Sequence, residues 1–341
     1  MFKAIDYKET LNFKNPLYID LRSEGEFFAF TIPNSVNMPI LNDSQREEVS
    51  ILYVKGEIEK SKAVGVQYAL SKLNDYFNLV SNLGHERDIV LFCSRGGYRS
   101  TVLFNFLKSL DERVYKLNFG YKGYRHFIID ELPKLVKQFT FVNLNGYTGS
   151  GKTEILDELE NLGAQVLNLE KLASHRGSIF GGVGLKDQPS QKMFESLLFE
   201  KLYSFKEKLV FTESESIKIG KLSLPKYLYD AYSLSPNQVL INSSIETRVR
   251  RIKEEYVHLE DGGFQREILQ SLDELHKYIN DKRFENYKNL IEKDEYDIVI
   301  EDLIKKYYDQ NYSIKKSNFK LTMENEDSKV SAKKIFEHFN K

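Results

Sequence analysis

The chain has 341 residues, 41% hydrophobic and 29% charged, with a net charge of −1. That is the composition of a soluble globular protein of two ordinary domains. It excludes a bulk-basic nucleic-acid binder, and no apolar run reaches the ~20 residues of a membrane span. One cysteine rules out an internal disulfide and a cysteine-based zinc site, and six scattered histidines give no ligand spacing, so no structural metal is expected. The N-terminus carries no secretory pattern, and a reducing cytoplasm is the expected compartment.

The first ~136 residues alternate short apolar runs with helical patterns, which predicts a parallel α/β domain. Strands are expected at 17–21, 36–40, 89–92 and 114–117. A short helix is expected over 23–30 with Ser23 as N-cap. Residues 43–83 lack strand signals and read as helices packed on the sheet. A helix over 124–136, interrupted near Pro133, closes the domain.

Cys93 follows the apolar run 89–92 and opens Cys93-Ser94-Arg95-Gly96-Gly97-Tyr98-Arg99-Ser100, ahead of a helical stretch over 101–110. A thiol at a strand end, before a glycine turn and a helix N-terminus, sits where backbone N–H groups converge. Such a place favours thiolate chemistry and holds anions. Cys93 is therefore the candidate catalytic residue. Ser94, Arg95, Gly96, Gly97, Tyr98 and Arg99 are the candidate anion-binding loop.

A second α/β domain is expected over 137–341, with strands at 139–144, 165–169, 208–212 and 238–242. Helices are expected at 153–162, 191–205 and 245–256. From Gly263 to about residue 308 the chain reads as a helical extension, followed by a strand within 314–322 and a helix over 331–339. Gly146-Tyr147-Thr148-Gly149-Ser150-Gly151-Lys152-Thr153 satisfies G-x-x-x-x-G-K-[ST] between a predicted strand and helix. The backbone around Gly146, Thr148, Gly149, Ser150 and Gly151 can curl about a phosphate. Lys152 supplies charge, and the Thr153 hydroxyl is the candidate Mg²⁺ ligand. ATP, GTP or an alkyl diphosphate would each suit this cradle.

Glu213 and Glu215, at the end of a predicted strand, are candidates to hold a cation through water or to orient a substrate. The long glycine-rich stretch 175–191 reads as a binding loop, with His175, Arg176 and Gln188 as second-site candidates. Lys116, Lys122, Arg125, His126, Lys134 and Lys137, interleaved with Tyr121 and Tyr124, suit phosphate contacts and a stacked single-stranded base. Lys122, Tyr124 and Arg125 are the leading candidates for RNA contact. A second basic run, Arg248, Arg250, Arg251 and Lys253, lies on a predicted helix and reads more readily as solvated charge.

Ile19-Asp20-Leu21-Arg22, Glu26-Phe27, residues 32–39 and the Cys93 loop resemble a rhodanese domain in order and spacing. That domain joined to a P-loop domain resembles the bacterial tRNA 2-selenouridine synthase family, over about residues 4–260. Further likeness lies in Gly120-Tyr121-Lys122-Gly123-Tyr124-Arg125, in His175-Arg176-Gly177-Ser178 and in Gln188-Pro189-Ser190-Gln191. The usual rhodanese glycine-histidine is Phe30-Thr31 here, and the following glycine-alanine is Asn34-Ser35.

The resemblance implies a rhodanese-like domain followed by a P-loop NTPase-like domain with a helical C-terminal extension. It implies replacement of sulfur by selenium in the 2-thiouridine of the tRNA wobble position, with selenophosphate as donor and geranyl diphosphate as source of an S-geranyl intermediate. Cys93 would attack, or carry selenium as a selenenylsulfide-like adduct. The anticodon region of tRNA, and a protein supplying selenophosphate, are the partners so implied. The residues also leave open a cysteine-dependent phosphatase (Cys93 and Arg99 fit C-x-x-x-x-x-R), a sulfurtransferase, and a nucleotide-switched RNA-binding regulator.

Overall fold

The computed structural model describes residues 3–83, 86–256, 263–311 and 318–340, and the chain divides into two compact units. Unit 1 comprises residues 1–132 and 189–200, and unit 2 comprises residues 133–188 and 201–341.

Unit 1 is built on a four-stranded parallel sheet. Its strands β1 (Pro16–Asp20), β2 (Val36–Asn37), β3 (Asp88–Phe92) and β4 (Val114–Lys116) lie in the order β2-β1-β3-β4. β1 and β3 are almost wholly buried on both faces, as continuous apolar strands covered by helices must be. The helices are α1 (Tyr7–Thr10), α2 (Glu24–Ala29), α3 (Asp43–Val54), α4 (Ile58–Leu70), α5 (Leu73–Leu83), α6 (Tyr98–Ser109) and α7 (Gly120–Val136). Ser23 and Glu26 form a reciprocal capping box that starts α2. The expected strand over 36–40 shortens to two residues. The helix expected to break at Pro133 instead runs through it to Val136, forfeiting the one N–H bond that proline cannot make.

The departures from the rhodanese pattern have local partners. Thr31 Oγ1 donates to Asp20 Oδ2 at 2.9 Å, and Asp20 pairs with the fully buried Arg22 at 2.6 Å. The Arg22 guanidinium lies 4.5 Å from the Tyr121 ring centroid and 5.2 Å from that of Phe30, so aromatic faces cover the cation that Asp20 neutralises.

Unit 2 carries a five-stranded parallel sheet in the order β11-β10-β5-β7-β6. Its strands are β5 (Thr140–Asn145), β6 (Val166–Leu167), β7 (Leu209–Glu213), β10 (Asn237–Asn242) and β11 (Leu321–Glu324). A small antiparallel hairpin, β8 (Lys218–Ile219) and β9 (Leu222–Ser223), was not foreseen from sequence. The helices are α8 (Lys152–Asn161), α9 (Leu169–Ala173), α10 (Gln191–Ser204), α11 (Lys226–Ser233), α12 (Ile245–Tyr256), α13 (Gly263–Leu275), α14 (Asp281–Glu292), α15 (Tyr296–Leu303), α16 (Asp309–Asn311) and α17 (Ser328–Phe339). Most of α10, residues 191–200, belongs to unit 1, and the last residues of α7, 133–136, belong to unit 2.

The strand expected over 165–169 stops at Leu167, since Asn168 turns the chain and caps α9. The strand expected within 314–322 is β11, shifted toward the C-terminus; residues 314–317 of that expectation lie outside the described residues. The helical extension has its own apolar core of Leu272, Leu275, Tyr287, Ile291, Val299 and Leu303. Val183 of the glycine-rich loop is buried in the same cluster. Among the described residues, no helix is long and apolar enough to cross a membrane.

Candidate active site

Both candidate sites follow the C-terminal end of a parallel strand, the usual position for ligands on open α/β sheets.

In unit 1 the chain leaves β3 at Cys93, turns through Gly96 and Gly97, and enters α6 at Tyr98, with Gly97 as N-cap. Gly96 and Gly120 adopt positive φ, 65° and 56°. A Cβ on Gly120 would lie 2.1 Å from the Cys93 carbonyl oxygen, so that close approach requires glycine. Tyr121 N–H donates to the Cys93 carbonyl at 2.8 Å, and Lys122 N–H to that of Ser94 at 3.0 Å. Lys116 Nζ donates to the Gly96 carbonyl at 3.0 Å and to Thr101 Oγ1 at 2.9 Å. The turn is thus pinned from β4 and α7. Cys93 Sγ is buried and lies 3.2 Å from Ser100 Oγ.

Arg99 Nη1 donates to Glu26 Oε2 at 2.7 Å. Burial alone would raise the Glu26 carboxyl, but Arg99 outweighs it and holds the group below the usual carboxylate value. Burial likewise works against the Arg99 charge, and Glu26 reverses that and raises its pKa. Arg95 and Tyr98 are exposed at the turn. The thiol opens into a cleft of about 740 Å³ lined by the turn and by α3, α4 and α6.

In unit 2 the phosphate loop joins β5 to α8, as its spacing predicts. Gly149 and Gly151 adopt positive φ, 78° and 86°. Lys152 Nζ reaches the Gly146 carbonyl at 2.9 Å. Three side chains donate to the Ser150 carbonyl: Asn325 Nδ2 at 2.9 Å, Arg251 Nη1 at 3.2 Å and Ser243 Oγ at 3.2 Å. Arg248 Nε donates to the Thr148 carbonyl at 2.8 Å, while its other nitrogens pair with Asp309 at 2.9 and 2.6 Å. The second basic run is therefore split, with Arg250 and Lys253 in solvent-exposed pairs as expected and the other two residues buried. Arg248 and Arg251 are buried braces of the phosphate loop; Arg250 pairs with Glu254 and Lys253 with Asp297.

The loop faces carboxylates. Glu213, at the end of β7, is buried and accepts from the backbone N–H groups of Leu169 and Glu170 at the start of α9. Its Oε2 is buried without a hydrogen bond. Burial, reinforced by Glu170, pushes its pKa up to about 8. Glu215 is raised well above the carboxylate range by burial first, then by Glu170 and Glu213, with Lys152 opposing. Thr153 Oγ1 lies 3.3 Å from Glu170 Oε2.

An orphaned carboxylate oxygen, a hydroxyl and neighbouring acids form an all-oxygen donor set that fits a hard cation such as Mg²⁺. Among the described residues no three Asp, Glu, His or Cys side chains converge as a cage. Glu170 escaped sequence reasoning because it belongs to a five-residue helix, and its only signal was the Asn168 cap beside it.

The other sequence candidates divide. His175 is partly buried, and burial with Arg176 beside it lowers its pKa, which keeps the ring neutral near pH 7. Arg176 pairs with Glu255 at 2.6 Å, donates to the Val183 carbonyl at 2.7 Å and lies 4.8 Å from the Tyr256 ring centroid. Gln188 donates to the Ala173 and Ile219 carbonyls and accepts from Lys221 N–H. Both residues are thus committed to holding the glycine-rich loop in place, not to phosphate or base edges.

Two RNA candidates need correction. Tyr124 is fully buried, its ring centroid 4.6 Å from that of Tyr7, so it offers no face to a base. Arg125 is buried, pairs with Glu195 and donates to the Lys192 carbonyl. Lys122 remains exposed beside the thiol turn.

A further apolar cavity of about 70 Å³ adjoins the phosphate loop at Thr148, walled by Phe180, Ile252, Ile268, Val299 and Leu303 among others. The helical extension supplies most of that wall.

Comparison with known proteins follows the same division. The family described as the tRNA 2-selenouridine synthase AAA domain matches residues 139–340, and the rhodanese-like domain family matches residues 3–126. A protein of Sulfurovum sp. (strain NBC37-1), named tRNA 2-selenouridine synthase, is 34% identical over 266 residues, covering 75% of this chain and 70% of that protein. Proteins of the same name from Shewanella oneidensis and Pseudomonas fluorescens are each 29% identical over 341 residues. They cover 92% of this chain and 89% and 92% of their own lengths. With the family match spanning more than half the chain and both domains in the same order, this chain belongs to the tRNA 2-selenouridine synthase family.

Proposed function

We propose that the chain is a tRNA-modifying enzyme that replaces the sulfur of wobble 2-thiouridine by selenium, with a prenylated sulfur as intermediate. The observation that carries this reading is the presence, in one chain, of a buried thiol in a glycine turn at a helix N-terminus and a complete phosphate loop beside an apolar cavity.

The phosphate loop would hold the diphosphate of geranyl diphosphate. Its backbone N–H groups and Lys152 take up the charge that develops as the C–O bond breaks. Thr153, Glu170 and Glu213 fit a Mg²⁺ ion, which when bound would add Lewis-acid stabilisation of the leaving diphosphate. The apolar cavity at Thr148 supports an alkyl tail over a purine, which would need polar partners there. Its volume accommodates roughly five to seven small groups, about half of a ten-carbon chain. The thiouridine sulfur forms the new C–S bond, diphosphate departs and N3 gives up its proton.

Cys93 then acts at carbon 2. S-alkylation converts the sulfur into a leaving group. Attack by Cys93 Sγ forms an S–C2 bond and releases the prenyl thiol, which takes up a proton. The selenium of selenophosphate next displaces Cys93, and water cleaves the Se–P bond to give phosphate. This route leaves every atom at its oxidation state, whereas a selenenylsulfide on Cys93 would need an oxidant. Ser100 and the turn N–H groups steady the charges that pass through the site. The exposed Lys122 and Arg95 suit phosphodiester contacts beside the thiol, and the expected setting is the cytoplasm.

Lys152→Ala tests the phosphate-loop assignment. Transfer of radiolabelled geranyl from geranyl diphosphate to a 2-thiouridine anticodon stem-loop should fall at least about a hundredfold. Undiminished transfer would remove the loop from this step.

A further inference from the structure

The helices α3 and α4 do something a helical cover need not do: they leave large apolar side chains in solvent. Val54 is 85% exposed, Tyr53 57% and Val66 51%, and Val102 and Tyr98 of α6 are similarly exposed. These side chains share one cleft of about 740 Å³ with Cys93 at its base. That volume lies in the usual range for small-molecule sites, about 300–1,000 Å³. A selenophosphate ion alone has no use for such walls, and contiguous exposed apolar surface next to a reactive group points to a ligand.

The distribution of charge is one-sided. Val49, Ile58, Ala69, Leu73 and Leu103 line the cleft as apolar wall, and its charged lining residues, Arg46, Lys62, Arg95 and Arg99, are all cations. Lys62 pairs with Glu59 and Arg99 with Glu26, while Arg95 is exposed at the turn. Arg46 Nε is buried without a hydrogen bond, 3.9 Å from Glu26 Oε2. An apolar chamber with cations and a thiol fits a ligand with a hydrocarbon chain at one end and an anionic backbone at the other.

We propose that this cleft holds the hydrocarbon chain of an S-alkylated 2-thiouridine in RNA, setting the sulfur-bearing carbon against Cys93 Sγ while the phosphodiesters meet the cations. The assignment rests on the reading that Cys93 acts on an S-alkylated base. It gives the chain length a role at the thiol site as well as at the phosphate loop. The helical segment 43–83 becomes a selectivity element: bases alkylated with long chains bind, and unalkylated 2-thiouridine lacks the anchor.

The test uses the full chain and an S-alkyl-2-thiouridine nucleoside whose ten-carbon chain ends in a diazirine. Photolysis followed by peptide mass spectrometry should label residues 49–66 and 98–103. In parallel, Val66→Asp and Val102→Asp, both half-exposed positions that tolerate a polar side chain, should weaken binding of S-geranyl-2-thiouridine at least about tenfold. Both should leave the weaker binding of S-methyl-2-thiouridine unchanged. Label confined to residues 263–308, or equal affinities in wild type and both variants, would overturn the proposal. So would protection of Tyr53 and Val54 by a partner protein together with no affinity for the alkyl nucleoside. If label and affinities behave as expected but Cys93→Ser still makes selenouridine, the cleft assignment stands and the role given to Cys93 falls.

Discussion

The thiol turn of unit 1 and the phosphate loop of unit 2 are the same idea executed with different materials. Each is a glycine turn between a parallel strand and a helix N-terminus, and each has an apolar cavity at its side. The thiol turn is braced mainly by backbone: N–H groups of α7 bond the Cys93 and Ser94 carbonyls, and a single long side chain, Lys116, holds the Gly96 carbonyl. The phosphate loop is braced by long side chains, Arg248, Arg251 and Asn325. The charges differ as well. An ionised Glu26 holds a guanidinium beside the thiol, while carboxyls of raised pKa stand beside the phosphate loop. On the proposed reading, the first arrangement holds a nucleophile in place and the second accepts a multivalent guest.

Glycine replacements should expose that difference most strongly. In Gly120→Ala the new Cβ would meet the Cys93 carbonyl oxygen at 2.1 Å and Gly96 N at 2.6 Å, with no side chain able to step aside. We expect a loss of at least about 4 kcal/mol in unit 1. Gly151→Ala has the same backbone strain, but its Cβ would meet Asn325 Nδ2 at 2.3 Å and Arg251 Nη1 at 2.9 Å, which can shift. Its cost should be smaller, about 1–3 kcal/mol. Urea unfolding of the two variants checks the order; equal losses would mean the two turns are braced alike.

The carboxylates provide a smaller, signed contrast. Between the ordinary value of 4.5 and about 8, Glu213 is ionised in the unfolded chain and still protonated in the native one. Ionisation there favours unfolding, so in metal-free buffer stability should fall across that window. Glu213→Gln should flatten the fall. Glu26 works the other way: its depressed pKa gives stability that is present above 4.5 and lost as pH drops through the native value. Glu26→Gln should flatten that acid limb. Thermal midpoints against pH report both; a Glu213→Gln profile as steep as wild type would contradict the buried, protonated carboxyl.

What sequence made legible was the local chemistry. Cys93 with its glycines, and Gly146 through Thr153, announce themselves because turn, anion nest and helix start are encoded within eight residues. The cleft did not, because residues 43–83 show only helical character, and nothing in a helical pattern says that Val54 and Val66 stay uncovered. Arg248 and Arg251 read as surface charge because their partners, the Thr148 and Ser150 carbonyls, lie about a hundred residues away in sequence. Tyr124 and Arg125 misled for the converse reason: a basic-aromatic cluster in sequence became a packed core with Tyr7 and a paired guanidinium.

The division of labour between the two sites is tested most directly by Cys93→Ser, read as wobble nucleosides by mass spectrometry of tRNA from cells carrying only that variant. Loss of 2-selenouridine with accumulation of S-geranyl-2-thiouridine is the predicted result; 2-selenouridine at the wild-type level would contradict it.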